Sequence, residues 1–356
     1  MGPSSRVRHL NFIPALEAAG FTVKVAPFLN DDYLARLYHG EPRDLRFLAQ
    51  AYWGRLRELF SARNVDLIWI EKEALPWVPA AVECLFLRGR PIVIDFDDPW
   101  SLRYSMHSSG IVRALMGDKL ERIAARAAVV TAGSAQLSQW LRSTPSPQIV
   151  EWPPAVEVAR YPKLPLPEGP FTIGWIGTPG NEAYLNLIAE PLRALCTEAK
   201  ARVRVIGGGR GFSLPGVTVD YVPWREETEA IELARCHVGV MPLSDGPWER
   251  GKCGYKLIQY MAAGRATVAS RVGAASSITV PGQTGLLANS VEEWTAALKR
   301  LAADRKFTER LGIAGRQRVE ASYSLQATAP KLIALFEQAL ANNFAIDERL
   351  LNTTAI

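Results

Sequence analysis

The residues best suited to chemistry lie between Gly239 and Gly273, in the stretch GVMPLSDGPWERGKCGYKLIQYMAAGRATVASRVG. Lys252 and Lys256 flank a short glycine-bearing loop, Gly251-Lys252-Cys253-Gly254, and Asp245, Glu249 and Arg250 stand just before it. Glycine lets a ligand come close to the backbone. A loop that ends on a helix also presents unpaired N–H groups and the positive end of the helix dipole, a combination that holds anions. Both signs of charge crowd into a dozen positions, which a merely solvated loop does not need.

The elements that must position these residues can be read from hydrophobic pattern. Residues 238–243 and 266–270 are short apolar runs of the kind buried as parallel strands. Between them Leu257, Ile258, Met261 and Ala262 share one helical face. The rest of the second half continues the alternation, with strands expected at 171–176, 202–206, 217–221, 238–241, 267–270 and 285–287. Glycine-rich loops follow the first two, Gly177-Thr178-Pro179-Gly180-Asn181 and Gly207-Gly208-Gly209-Arg210-Gly211. Neither has the G-x-G-x-x-G order that opens directly into a helix, which argues against a nicotinamide dehydrogenase. Val222-Pro223-Trp224 ends the third strand.

The first half has the same rhythm. Strands are expected at 22–27, 66–70, 91–96, 128–132 and 148–151, and helices at 5–19, 44–63, 75–87, 111–126 and 135–142. Such alternation specifies parallel sheets covered by helices. Six prolines between Trp152 and Pro170 mark a stiff linker. The expected division is therefore 1–152, a linker at 153–170, a second domain at 171–325, and a terminal helix and tail at 326–356.

Loops at the carboxyl ends of parallel strands face the ligand crevice. In the first half these include the opening segment, with Ser4, Ser5, Arg6 and Arg8, and Asp95-Phe96-Asp97-Asp98-Pro99 after an apolar run. Arg6 and Arg8 diverge on a helix, so at most one faces the crevice. Asp98 is the preferred functional acid, with Asp97 beside it and His107 on the same loop. Glu71 and Glu73 end another strand and could equally be acceptor contacts or a solvated turn. The chain opens on a helix rather than on the central strand a doubly wound sheet needs, so the expectation is a native protein that begins upstream of Met1.

The segment Tyr260-Met261-Ala262-Ala263-Gly264, with the glycine loop and helix before it, resembles the donor-binding signature of retaining glycosyltransferases of family 4. This sequence is similar to a branch with Gly-Lys-Cys-Gly-x-Lys-Leu-x-Gln-Tyr-Met-Ala in place of the usual two-glutamate motif. The resemblance implies an α/β fold of the GT-B kind: two Rossmann-like, doubly wound parallel-sheet domains facing a cleft, with the last helix crossing back to the first domain. It implies a sugar moved from a nucleotide diphosphate sugar to a glycan, a lipid-linked molecule or a small molecule, with no metal and no other cofactor. Gln259 falls where the family has its second glutamate and would hold the ribose through its amide. Gly251 falls on the first, leaving Asp245 or Glu249 to hold sugar hydroxyls.

By the same resemblance Lys252 and Lys256, with the backbone at Gly254 and Tyr255 and with the small Cys253 in the loop, would meet the diphosphate. The family's basic pair after the first strand of this domain is absent, which shifts that burden to the two lysines and Arg250. Gly177 and Thr178 would lie on the phosphate side and Trp224 against the base. Asp98 or His107 would line the acceptor side, with Ser5 and Arg6 nearby. A sugar-nucleotide epimerase and a non-catalytic nucleotide-sugar-binding protein are the rival readings. Activity without an acceptor would identify the first, and binding without turnover the second.

Composition sets the outer bounds. At 356 residues, 48% apolar and 22% charged, the chain can bury two cores. Its net charge of +5 is shared evenly, with 19 Lys and Arg against 17 Asp and Glu through Arg160 and 22 against 19 after it. No basic arm points to nucleic acid, while mild basicity suits anionic substrates or peripheral contact with a membrane. The cysteines, Cys84, Cys196, Cys236 and Cys253, lack ligand or disulfide spacing. With no signal-peptide pattern and no long apolar run, the expected place is the cytoplasm or the inner face of a membrane.

Overall fold

The computed structural model describes residues 2–38, 41–42, 44–142, 148–209 and 211–353. They form two compact units, Met1–Pro153 together with Ala329–Ile356, and Pro154–Thr328. Among the described residues no helix is long and apolar enough to cross a membrane.

The first unit is built on a parallel sheet of β1 (Ile68–Glu71), β2 (Ile92–Phe96), β3 (Val129–Ala132) and β4 (Ile149–Glu151), in that order. All five residues of β2 are buried, as expected of a strand covered on both faces. Ile70, Ile94, Phe96, Val130 and Ala132 pack one face against Leu75, Leu120, Ile123 and Leu137. The alternate positions Asp95 and Thr131 turn the other way. There Arg8, from the helix Pro3–Arg8, grips both oxygens of Asp95 at 2.8 and 2.5 Å and donates to the Trp152 carbonyl. Phe336, on the helix Leu325–Thr353, packs edge-on against Trp69 in the same unit.

Three expectations are corrected here. Residues 22–27 form no strand: the Ala26 carbonyl takes the guanidinium of Arg55 at 2.7 Å, and Phe28 docks on Tyr52. The described sheet therefore winds one way only. The single helix expected at 5–19 is broken at His9–Phe12, and Pro14 sits in the first turn of the next helix, Ile13–Ala18. The helix expected from residue 75 begins only at Ala80, because Pro76 and Pro79 keep the chain non-helical before it.

The second unit is doubly wound. Its six parallel strands are β5 (Thr172–Gly177), β6 (Arg202–Gly207), β7 (Val219–Val222), β8 (Val238–Met241), β9 (Ala266–Ala269) and β10 (Leu286–Leu287), ordered β10-β9-β8-β5-β6-β7. The proline-rich residues after 153 lie along this unit. Val156 and Tyr161 join its core, and Arg265 and Arg305 donate to the carbonyls of Leu164, Pro165, Leu166 and Pro167.

Candidate functional site

Strand order reverses between β5 and β8, and ligands of open α/β sheets bind outside the carboxyl ends of the strands at such a point. The two strands pair only at Ile173–Val238 and Gly174–Gly239, then part. Tyr260 fills the gap: its hydroxyl accepts the Ile176 N–H at 3.1 Å and donates to the Val240 carbonyl at 3.2 Å. The helix that carries Tyr260, Tyr255–Ala262, is thereby fixed with its first turn at the strand ends.

Gly177, the last residue of β5, forms the floor of this crevice. A Cβ there would lie 2.8 Å from the Lys256 ammonium and closer still to the Trp175 ring. Lys256 stands over that ring at 4.9 Å, a cation held against an indole face at the point where the strands part. Thr178 accepts from the Asn181 amide at 2.7 Å. Gly207, at the end of β6 with φ of 81°, approaches both the Gly177 carbonyl and the Cβ of Trp224, so the two strand ends and Trp224 converge.

Trp224 is 42% exposed, and its Nε1 donates to Glu229 at 2.7 Å. Tyr161 donates to the other Glu229 oxygen at 3.2 Å. Burial, with the Tyr255 hydroxyl and the Glu229 charge nearby, holds the Tyr161 phenol well above its ordinary range, while a hydrogen bond with Gln259 pulls the other way. Gln259 is therefore buried within the Tyr161 and Glu229 cluster. Glu182, on the turn after β5, accepts from the Gly209 N–H at 3.0 Å with one oxygen.

Gly254 caps the helix Tyr255–Ala262 in the left-handed region, φ 72°. A Cβ there would lie 2.5 Å from Ile278, so both conformation and space require glycine. The loop before it carries Lys252, whose ammonium is 6.0 Å from the Trp248 ring, and Cys253, a half-buried cysteine. Asp245 and Arg250 form a bidentate pair at 2.6 and 3.0 Å on the exposed surface. The Arg250 hydrogen bond holds the Asp245 carboxyl below its usual value. Glu249, on the turn Pro247–Arg250, instead accepts a hydrogen bond from Tyr184 on the segment that follows β5.

In the first unit, Ser5 donates to Glu71 at 2.5 Å and Arg6 is half-buried in the last turn of Pro3–Arg8. Lys72 pairs with Glu71 and Asp97 at 3.2 and 3.0 Å, and Ser4 donates to Asp97. Burial opposes the Lys72 charge, but the Asp97 and Glu71 carboxylates outweigh it and raise the ammonium above the ordinary lysine value. Asp98 is half-buried within electrostatic reach of Lys72. His107 accepts the Ser109 N–H on Nδ1 at 3.1 Å and stands edge-on to Trp77. Glu73 is drawn inward, where it takes Trp100, Tyr104 and Lys119.

The second unit thus gathers Gly177, Thr178, Trp224, Gly254, Tyr255 and Lys256 around the switch point. Lys252, Cys253, Glu249, Asp245 and Arg250 lie on the adjoining loop, and Gln259 lies in the core behind it. The sequence pattern passed over Trp175, Tyr184 and Glu229. Trp175 sits in an apolar strand and reads as core, Tyr184 acts on Glu249 from 65 positions away, and Glu229 joins the nearby Trp224 to Tyr161, 68 positions back; only Tyr184's position just after a glycine loop offered a signal. Arg210 lies outside the described residues. Among those described, no group of three or more His, Cys, Asp or Glu could hold a metal.

Residues 170–304 match the family described as Glycosyl transferases group 1. No curated protein matches the sequence. Solved structures resemble the chain over most of its length. A glycosyltransferase from Rickettsia africae is 14% identical over 94% of this chain and 94% of its own, with a TM-score of 0.66. Sucrose-phosphate synthase from Thermosynechococcus elongatus is 19% identical over 86% and 80%, with a TM-score of 0.64. The Anabaena protein HepE, solved with UDP-glucose, is 14% identical over 92% and 89%, with a TM-score of 0.62. The fold is GT-B, with two parallel-sheet α/β domains.

Proposed function

We propose that this chain, whose second unit carries a group 1 glycosyl transferase domain, transfers a sugar from a nucleoside diphosphate sugar to an acceptor with retention of anomeric configuration. One observation carries the reading: within that domain, Lys256 and the N-terminus of the helix Tyr255–Ala262 meet the carboxyl end of β5 where strand order reverses. HepE, of like fold, was solved with UDP and with UDP-glucose.

When the glycosidic bond to the diphosphate breaks, negative charge grows on the leaving oxygens. Lys256, with Lys252 and the N–H groups of the helix's first turn, would stabilise that charge without a metal. Gly177 and Thr178 would leave room for the phosphates. Trp224, its edge pinned by Glu229, would offer its exposed ring to the base. Gln259 would act on the ribose through the Tyr161 cluster rather than from the open surface. Between the two candidate acids, Glu249 is the better partner for donor-sugar hydroxyls, because Arg250 takes both Asp245 oxygens while Tyr184 donates to only one oxygen of Glu249. Asp98 and His107, with Ser5 and Arg6, are proposed for the acceptor.

The test is incubation with UDP-, GDP-, ADP- and dTDP-sugars and a panel of glycan, lipid-linked and small acceptors, with NMR of the product anomer and chelator in parallel reactions. Acceptor-dependent release of one nucleoside diphosphate, with retained configuration and no loss to the chelator, is expected. Inversion, or turnover that requires a metal, would overturn the mechanism.

A further inference from the structure

The first unit holds an aromatic and cationic cluster that the donor chemistry does not use. The Arg103 guanidinium lies over two indole rings, 5.2 Å from the centre of Trp77 and 4.7 Å from that of Trp100. Arg103 is exposed, and among the described residues no carboxylate pairs with it. Lys72 stands over the same Trp100 ring at 5.0 Å, but its charge is met by Glu71 and Asp97.

The cluster is anchored from below. Glu73 accepts from Trp100 Nε1 at 3.0 Å and from the Tyr104 hydroxyl at 2.8 Å, and Lys119 bridges it to Glu83. The Trp77 N–H donates to that same Tyr104 hydroxyl at 3.0 Å. Lys72 and Trp77 have φ of 62° and 60°, and only Lys200 among the other described non-glycine residues has a positive φ. Backbone strain of this kind persists where the surroundings over-determine it, and it gathers at functional sites. His107 borders Trp77 from another side at 5.6 Å. Its Nδ1 accepts from Ser109, so the neutral ring carries its proton on Nε2 and can donate there.

Next to these cations the chain leaves apolar side chains in water. Met106 follows the helix Leu102–Ser105 that carries Arg103, and Ile111 and Leu115 lie one turn apart on the neighbouring helix Gly110–Met116. They are 68, 73 and 57% exposed. An oriented, carboxylate-free guanidinium beside an apolar apron complements a molecule that carries an oxyanion next to a hydrocarbon chain.

We propose that Arg103, stacked on Trp77 and Trp100 and flanked by His107, binds the anionic group of an amphiphilic acceptor, whose apolar part lies along Met106, Ile111 and Leu115. The proposal rests on the transferase reading, and it identifies the acceptor class as an anionic amphiphile such as a lipid-linked phosphate.

The probe is decyl phosphate, titrated by calorimetry into the full chain, with decyl maltoside and inorganic phosphate as comparisons and binding of UDP, GDP, ADP and dTDP measured on each preparation. Saturable decyl phosphate binding is expected, with both comparisons weaker. R103Q should weaken it about tenfold or more, as loss of a charge-assisted contact does, and R103K should fall between, since it keeps the charge but not the planar stack. Each variant should still bind the nucleoside diphosphate that the wild type binds, which certifies its fold. The proposal is overturned if R103Q binds decyl phosphate as the wild type does, or if decyl maltoside or inorganic phosphate binds as tightly. Failure of the transferase reading would show separately, as absence of nucleotide binding in the wild type.

Discussion

The ring of Tyr260 lies directly against the bare Cα of Gly239: a Cβ on that glycine would come within 2.1 to 2.4 Å of three ring atoms. The contact lets the Tyr260 hydroxyl reach both Ile176 and Val240 and join β5 to β8 where their own pairing has ended. The helix that supplies Lys256 is held to the sheet by this link.

Tyr260→Phe should therefore leave a buried N–H and a buried carbonyl unpaired and cost about 1–3 kcal/mol of stability. Gly239→Ala should cost a similar amount by forcing the ring away. Denaturant unfolding would check both. A Tyr260→Phe midpoint equal to wild type would refute the bridging role.

The assignment of Glu249 separates it from Asp245. Glu249→Gln should lower kcat/KM roughly ten- to hundredfold, as loss of one charge-assisted contact does, while Asp245→Asn leaves it within about threefold. Steady-state kinetics with the natural donor would decide. The reverse ranking would return Asp245 to the role.

His237 gives the second unit a pH-dependent stability. Its Nδ1 accepts the Thr172 N–H at 3.0 Å, and burial, with the Arg305 and Arg265 charges nearby, pushes its pKa down from 6.5 to about 4. Between those values the unfolded chain binds a proton that the folded chain does not. Stability from this group is thus full above about pH 6.5 and is lost as the pH falls toward 4, by up to about 3 kcal/mol. His237→Asn keeps an acceptor for Thr172 but cannot titrate, so its unfolding free energy should fall less steeply over that window. Identical slopes for the two proteins would contradict the assignment.

Much of the second unit was legible in the sequence, because continuous apolar strands, glycine loops and an amphipathic helix repeat there in regular order. The glycine turn at Gly251–Gly254 and the helix that follows it could be read for the same reason. What escaped depends on distant contacts. Trp175 belongs to an apolar run, and nothing local shows that its ring reaches out beneath Lys256. Residues 22–27 carry a strand's alternation, yet Arg55, nearly thirty positions on, takes a carbonyl that a neighbouring strand would have used. Arg103 carried no signal of its own: Trp100 stands three positions before it, but Trp77, which completes the stack, comes from 26 positions away.

In the proposed mechanism Lys256 and its helix end hold the diphosphate of a sugar nucleotide. Calorimetric titration with UDP, GDP, ADP and dTDP, repeated on Lys256→Ala, tests it most directly. One nucleotide should bind the wild type, and the substitution should weaken it by about 1.5–3 kcal/mol. Binding unchanged in Lys256→Ala, or no binding by any of the four, would contradict the account.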